Sequence, residues 1–232
     1  MINHYYWPTP NGHKTAIMLE EVGLDYELFP INILEGEQFE ADFIAISPNN
    51  RVPAIVDLDG PQSQPFKVFE SGAILMYLAE KSGMLWPCDT AERYEAIQWL
   101  MFQMGNVGPM FGQNGYFQGY CPEEVPLAKE RYHTICNQLY GVLDTRLASN
   151  EYLAGSKYSI ADVATFPWML PKQQQMHRID IEKYPNVGRW IDLVAARPAV
   201  QRGITSLVDD MKVGNPTKQT YDNLFGGAQF DR

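Results

Sequence analysis

An α/β first half followed by an all-helical second half is the fold class this sequence predicts, and three observations carry it. Short apolar and aromatic runs alternate with helical patterns up to Gly83. The stretch Gly83 to Asp89, with Trp86-Pro87, then breaks the pattern as a linker does. Beyond it every apolar repeat has the helical period. At 232 residues, 45% of them hydrophobic, the chain can bury an ample core without outside staples, and two domains are expected, over 1–83 and 90–232.

Taken in order, Ile2 to Trp7 reads as an aromatic strand, and Pro8-Thr9-Pro10-Asn11-Gly12 as a turn. A helix follows, with Ala16, Leu19 and Gly23 on one face beside Ile17 and Leu24. Tyr26 to Ile33 is a second strand, Gln38 to Ile44 a short helix, and Ala54 to Leu58 and Phe66 to Phe69 two more strands. Ala73, Ile74, Tyr77 and Leu78 then mark a helix. In the second half the periodic sets are Tyr94, Ile97 and Met101, then Ile135, Leu139, Val142 and Leu143, then Val200, Ile204, Leu207, Val208 and Met211. The Met-, Gly- and aromatic-rich stretch Met101 to Tyr120, with Pro109 inside it, predicts a long helix that ends or kinks. Tyr158-Ser159-Ile160-Ala161-Asp162-Val163 is a capping box with a hydrophobic staple. The tail after Met211, with Asn215-Pro216 and the apolar residues Tyr221, Leu224, Phe225 and Phe230, either docks or frays.

Composition excludes several function classes. With 18 Lys and Arg against 28 Asp and Glu, the formal charge of −10 repels nucleic acid and anionic membrane, which both bind through clustered basic groups. No signal-peptide pattern and no apolar run of spanning length is present, so a soluble cytoplasmic protein is expected. Cys88, Cys121 and Cys136 are odd in number and form no CxxC, which suits free thiols in a reducing compartment. His4, His13, His133 and His177 lack metal-ligand spacing, so no metal is expected.

The chemistry lies in two paired segments, Ser47-Pro48-Asn49-Asn50-Arg51-Val52-Pro53-Ala54 and Glu70-Ser71-Gly72-Ala73. A bond before proline costs little in cis and steers the preceding residue to extended backbone, so Pro53 can hold the N–H and C=O of Val52 ready to pair with a peptide. Seventeen residues later an acid and a hydroxyl open a helix. Its orphan N–H groups, its dipole and Ser71 suit a carboxylate, and Glu70 suits an ammonium. An α-amino acid fits there. Each segment by itself is also an ordinary turn or an ordinary N-cap; the order and the pairing favour a ligand.

This pairing resembles the glutathione transferases, in which the residue before the proline pairs with the cysteinyl backbone of glutathione and Glu-Ser holds its γ-glutamyl end. The resemblance runs from Ile2 to about Pro198 and includes Gly155 with the Ser159 to Asp162 box. It implies a thioredoxin-like domain followed by a helical bundle, glutathione as co-substrate, no metal, and a homodimer. The string Pro8-Thr9-Pro10-Asn11-Gly12-His13-Lys14, with Gln38, Phe39, Ser47-Pro48-Asn49-Asn50 and Gln113, is most similar to the Nu-class enzymes of bacteria and the related fungal nitrogen-regulator-like group. That likeness implies that Asn11 and Thr9 serve the glutathione sulfur, in place of the Tyr5 or Tyr6 of a tyrosine-type enzyme or of a first-turn Ser or Cys. It further implies glutathione binding by Gln38 at the glycyl carboxylate, by Val52 and Pro53 at the cysteinyl backbone, by Glu70 and Ser71, and by Arg131 reaching the partner subunit's glutathione. An amide N–H and a hydroxyl can stabilise a thiolate, although neither is a base. An Asn-Gly turn with Thr9 as a local cap would look the same. The implied activity is glutathione-dependent disulfide reduction, with weaker conjugation. A conjugating transferase for apolar electrophiles, or a glutathione-binding regulator or carrier with little turnover, are the other readings. In the family the Met101 to Tyr120 helix borders the second-substrate pocket, though such a stripe is equally a core or a dimer face. Glutathione is anionic, so this acidic chain must supply local positive potential.

Overall fold

The structure, a computed structural model, describes residues 1–207 and 217–229. It divides into two compact units, Met1–Leu78 with the described part of Arg202–Arg232, and Ala79–Gln201.

In the first unit β1 (Ile2–Tyr6), β2 (Tyr26–Pro30), β3 (Ala54–Asp57) and β4 (Phe66–Phe69) form one sheet in the order β2-β1-β3-β4. β1 runs parallel to β2 and antiparallel to β3, with Ile2 opposite Tyr26 on one side and Asp57 on the other; β4 pairs antiparallel with β3. β2 stops at Pro30, short of the expected Tyr26 to Ile33, because its partner β1 ends at Tyr6; the Ile31 N–H makes the last bond, to the Tyr6 carbonyl at 2.9 Å. Helix α1 (Pro10–Val22) starts inside the predicted turn: Pro10 occupies its first position, where a missing N–H is no loss. It stops at Gly23, whose left-handed φ of 62° lets its N–H reach the Leu19 carbonyl at 3.0 Å. The expected helix from Gln38 to Ile44 is two pieces, a 3₁₀ turn (Glu37–Phe39) and α2 (Ala41–Ile44), separated by the extended backbone of Glu40. Helix α3 (Ser71–Ser82) follows β4. Ile2, Tyr6, Ile17, Met18, Leu19, Ile55, Ile74 and Leu78 are buried to 1% exposure or less, so β1, β3, α1 and α3 share one core.

The described residues from Arg202 on group with the first unit. A Cβ on Gly203 would lie 2.6 Å from the Ile17 Cα, so only glycine permits this approach to α1. Arg202 donates to Glu20 at 2.5 Å, and the Tyr6 hydroxyl donates to the Ser206 carbonyl at 3.1 Å. Val208, Met211, Asn215-Pro216 and Phe230 lie outside the described residues.

The second unit is helical. Helices α4 (Thr90–Phe102) and α5 (Gly108–Gly115) are joined by a π-helical stretch (Gln103–Val107), and a second one (Tyr116–Tyr120) follows. The kink expected between Met101 and Tyr120 takes this form. Pro109 has no N–H, and its ring would crowd the carbonyl four residues back in a regular helix, so a wider turn ahead of it relieves both. Then come α6 (Pro126–Leu147), α7 (Ile160–Thr165), α8 (Pro171–His177), α9 (Pro185–Ala195) and α10 (Pro198–Thr205), the last running past the unit boundary. At the start of α7, Ser159 N–H donates to Asp162 Oδ2 at 3.0 Å and Ala161 N–H to Ser159 Oγ at 3.3 Å, forming the capping box. Asp162 also accepts from Leu153 N–H and Trp190 Nε1, each at 2.9 Å. One cap thus ties a loop and α9 to α7.

Candidate functional site

The first turn of α1 carries Thr9 and Asn11. Thr9 is the N-cap, and its Oγ1 accepts from Gly12 N–H at 3.1 Å. That bond uses a lone pair of the hydroxyl, whose proton meets no acceptor among the described residues. Asn11 is half-buried on the first turn. Gly12 is required here: a Cβ would meet the Trp7 carbonyl at 2.1 Å, so any side chain would push the turn off the sheet.

Val52 is half-buried, and the Val52-Pro53 peptide is cis. Neither the N–H nor the C=O of Val52 has a hydrogen-bond partner among the described residues, although β3 begins two residues later. A backbone edge beside a sheet is a natural place to pair with a peptide.

At α3, the Glu70 carbonyl accepts from Ile74 N–H at 2.9 Å, which makes Glu70 the N-cap and Ser71 the first helical residue. Glu70 holds a left-handed φ of 70° and is exposed, whereas Ser71 is buried. Beneath them lies a residue that the sequence reading left without a role. Lys14 of α1 is 1% exposed, and its Nζ donates to Ser71 Oγ at 3.3 Å. Burial pulls its pKa down to about 7, with Glu70 pulling the other way. The signal was a cation three and four residues before Ile17 and Met18, on a face that is otherwise core.

Gln38 is buried, and the structure gives its amide a different polarity from the one its expected role requires. Nε2 donates to the Asn223 carbonyl at 3.0 Å and to the Ile33 carbonyl at 3.4 Å, while Oε1 is buried without a partner. What the side chain offers a ligand is an acceptor, suited to an N–H rather than to a carboxylate. Asn223 belongs to α11 (Lys218–Phe225) and also donates to the Leu34 carbonyl at 2.7 Å, so the tail braces this segment. Arg131 is exposed on α6, in the second unit.

The tyrosines of β1 are otherwise engaged. Tyr6 is fully buried, with its hydroxyl on Ser206 and 3.0 Å from His13 Nδ1, and burial, then Tyr26, raise its pKa beyond the usual phenol range. Tyr5 stacks on Phe29 at 5.1 Å. The three cysteines are all in the second unit, and burial pushes the Cys136 thiol up to about 12. A groove of about 340 Å³ against Tyr5, Ile31 and Phe43 is rimmed by Glu37, Glu40 and Asp42, the wrong sign for an anionic peptide. Among the described residues no group of three or more His, Cys, Asp or Glu could hold a metal ion, and no helix is long and apolar enough to cross a membrane.

Residues 2–80 match the N-terminal domain of the glutathione S-transferases, and residues 117–198 match their C-terminal domain. The chain is 46% identical over 207 residues to the disulfide-bond oxidoreductase YfcG of Escherichia coli (strain K12), covering 88% of this chain and 94% of the relative. A glutathione transferase family member from Pseudomonas fluorescens Pf-5, solved with two glutathione bound, is similar with a TM-score of 0.84 and 47% identity, over 88% of this chain and 92% of that one. The glutathione transferase of Pseudomonas putida, solved with one glutathione disulfide bound per subunit, gives 0.85 and 43%, over 88% and 91%. Both domains match in order, and the first carries the four-stranded mixed sheet: the chain belongs to the glutathione S-transferase family.

Proposed function

We propose that this protein is a glutathione-dependent disulfide-bond reductase, with glutathione as the source of the attacking thiolate. The observation that carries the reading is the pairing, within one unit, of the unpartnered Val52 backbone with the Glu70-Ser71 helix start. Val52, next to Pro53, binds the cysteinyl backbone. Glu70 takes the γ-glutamyl ammonium, Ser71 and the α3 amides take its carboxylate, and Gln38 accepts from the glycyl N–H. The peptide so held lays its sulfur near the first turn of α1. There the Thr9 hydroxyl and the Asn11 amide donate to the thiolate and the helix start adds its dipole, lowering the thiol pKa at a cost of about 1.4 kcal/mol of preferential binding for each unit. The thiolate attacks one sulfur of a disulfide in line; a mixed disulfide with glutathione forms and the other sulfur leaves as a thiolate. A second glutathione thiolate attacks the mixed disulfide, giving glutathione disulfide and releasing the remaining thiol. Two glutathiones are oxidised for each disulfide reduced. The names of the relatives, an oxidoreductase and a transferase holding glutathione disulfide, support this direction. The protein works as a cytoplasmic homodimer, where Arg131 adds positive charge to the partner subunit's glutathione. Steady-state turnover of a small alkyl disulfide with glutathione tests the reading, and a faster rate on an apolar electrophile than on any disulfide would assign the protein to conjugation instead.

Two expectations follow from the assignments. Glu70→Ala and Ser71→Ala should each weaken glutathione binding by about tenfold, since each removes a charge-assisted contact; wild-type affinity by calorimetry in both would remove the γ-glutamyl site from α3. A variant with Cys88, Cys121 and Cys136 all replaced by Ser or Ala should keep most of its reductase activity, because no cysteine lies in the unit that holds the site. Since Cys136 is fully buried, its fold must be checked by circular dichroism. A folded variant without turnover would mean that a protein thiol takes part.

A further inference from the structure

We infer that His4 and Thr15 are positioning residues for the reaction, holding Gly12 so that the first turn of α1 presents the Thr9 hydroxyl and the Asn11 amide to the glutathione sulfur. The inference rests on the thiolate assignment made above and adds to it a line of hydrogen bonds that reaches the turn from the core.

Three observations carry it. First, every link of the line is present and chemistry fixes its direction. The Gly12 carbonyl can only accept, so Thr15 Oγ1 gives it its one proton, at 3.0 Å. Thr15 Oγ1 then has only lone pairs for His4 Nε2, 2.7 Å away, so Nε2 carries the imidazole proton and donates. The Gly12 N–H can only donate, and it does so to Thr9 Oγ1 at 3.1 Å. The Thr9 proton, which meets no acceptor among the described residues, is left for a ligand. Second, Gly12 is where the turn meets the sheet. A Cβ there would lie 2.1 Å from the Trp7 carbonyl and 3.0 Å from the Tyr6 ring. No side chain can anchor this residue, so its N–H and C=O must, and threonine hydroxyls hold both. Third, His4 and Thr15 are each 0% exposed, in a core shared with Ile2, Ile17 and Met18. His4 Nδ1 is buried without a partner among the described residues. A polar pair only partly satisfied in an apolar core is less stable than well-packed apolar residues, and departures of that kind mark functional places. Tyr6 and Tyr26 pack on the imidazole, with centroids 5.1 and 6.0 Å away. Burial lowers the His4 pKa to about 3, so the ring stays neutral. The other tautomer would set a lone pair against Thr15, draw its proton off the Gly12 carbonyl and loosen the turn. A donor slightly out of place loses much of its effect on a developing thiolate.

The test reads kcat/KM for disulfide reduction, glutathione affinity by calorimetry, and the thiol pKa of bound glutathione from thiolate absorbance, in variants whose fold is checked by circular dichroism. His4→Met and Thr15→Val fill the space without the hydrogen bonds. Each should lower kcat/KM by about tenfold and raise the bound thiol pKa by about half a unit or more, with affinity within about threefold of wild type. His4→Gln sets a donor where Nε2 stood and Thr15→Ser keeps the hydroxyl, so both should return to within about threefold of wild type in kcat/KM. The double variant His4→Met with Thr15→Val should fall no more than about twofold below either single one, since both break one line. Losses in His4→Gln and Thr15→Ser equal to those in the apolar variants, additive losses in the double variant, or unchanged turnover and thiol pKa in the apolar variants would each overturn the inference. Wild type supplies a second measurement should the apolar variants not fold. Nitrogen NMR of histidine-labelled protein should show His4 protonated at Nε2 alone from about pH 5 to 8, and a proton on Nδ1 would overturn the inference. If wild type does not lower the thiol pKa of bound glutathione, or if Thr9→Ala and Asn11→Ala turn over as wild type does, the thiolate assignment itself fails and takes this inference with it. A lowered thiol pKa that ignores His4 and Thr15 removes this inference alone.

Discussion

Asn11→Ala should lower kcat/KM for disulfide reduction by about thirtyfold while changing glutathione affinity by less than about threefold. The asymmetry follows from where Asn11 stands. It is on the first turn of α1, whereas the contacts assigned to the peptide come from Val52, Gln38, Glu70 and Ser71. A donor to sulfur is worth most when the sulfur is anionic and desolvated, so its loss falls on the reacting state rather than on the bound peptide. Thr9 makes a poorer probe. Its Oγ1 caps Gly12 N–H at 3.1 Å, so Thr9→Ala also costs about 1 kcal/mol of helix stability, while Thr9→Ser keeps both the cap and the hydroxyl. Unchanged turnover in Asn11→Ala and in Thr9→Ala would remove the thiolate site from this turn. Tyr6 would be a weak replacement, because its buried hydroxyl already serves Ser206 and lies 3.0 Å from His13. Tyr5 would come next.

The parts of this protein that were legible in its sequence are those whose causes are local. The strands beginning at Ile2, Ala54 and Phe66 and the helix after the first turn follow from apolar periods within a few residues, although these indicate neither the close of that helix at Gly23 nor the stop of the second strand at Pro30. The Ser159 to Asp162 box is likewise contained in four residues, and it forms as read. The turn at Pro8 to Gly12 was legible as a turn but not as the first turn of a helix, since Pro and Asn-Gly serve both. What the sequence hid depends on contacts between residues far apart. Gln38 and Asn223 meet across 185 positions, and nothing near Gln38 says that its N–H groups are already taken. Gly203 gave no sign that its bare Cα lets the tail approach Ile17. Lys14 stood inside a string quoted for its likeness to relatives, and its burial against Ser71 became visible only when α1 and α3 were placed in one core.

Asp162→Ala should destabilise the helical unit by about 3–5 kcal/mol. Asp162 is fully buried and accepts from Leu153 N–H and Trp190 Nε1 at 2.9 Å and from Ser159 N–H and Oγ at 3.0 and 3.2 Å. Alanine leaves four buried donors unpaired and removes the N3 half of the α7 capping box, leaving the Ser159 hydroxyl on Ala161 N–H. Asparagine is only a partial remedy, because its amide presents one acceptor and one donor to a site in which both oxygens accept. The pH dependence separates burial from hydrogen bonding. Burial raises the carboxyl from an ordinary 3.8 to about 6, while the four donors pull it down. A carboxyl whose pKa is higher folded than unfolded binds more protons in the folded state between those values, so its contribution to stability grows as the pH falls through about 6 toward 4. The stability difference between wild type and Asp162→Ala, from denaturant titrations followed by tryptophan fluorescence, should therefore be larger by about 2–3 kcal/mol at about pH 4 than at pH 7. Other carboxylates titrate alike in both proteins and cancel in that difference. A gap that narrows on acidification would mean that the donors outweigh burial, leaving Asp162 a structural anion whose protonation loosens the junction of α7 and α9.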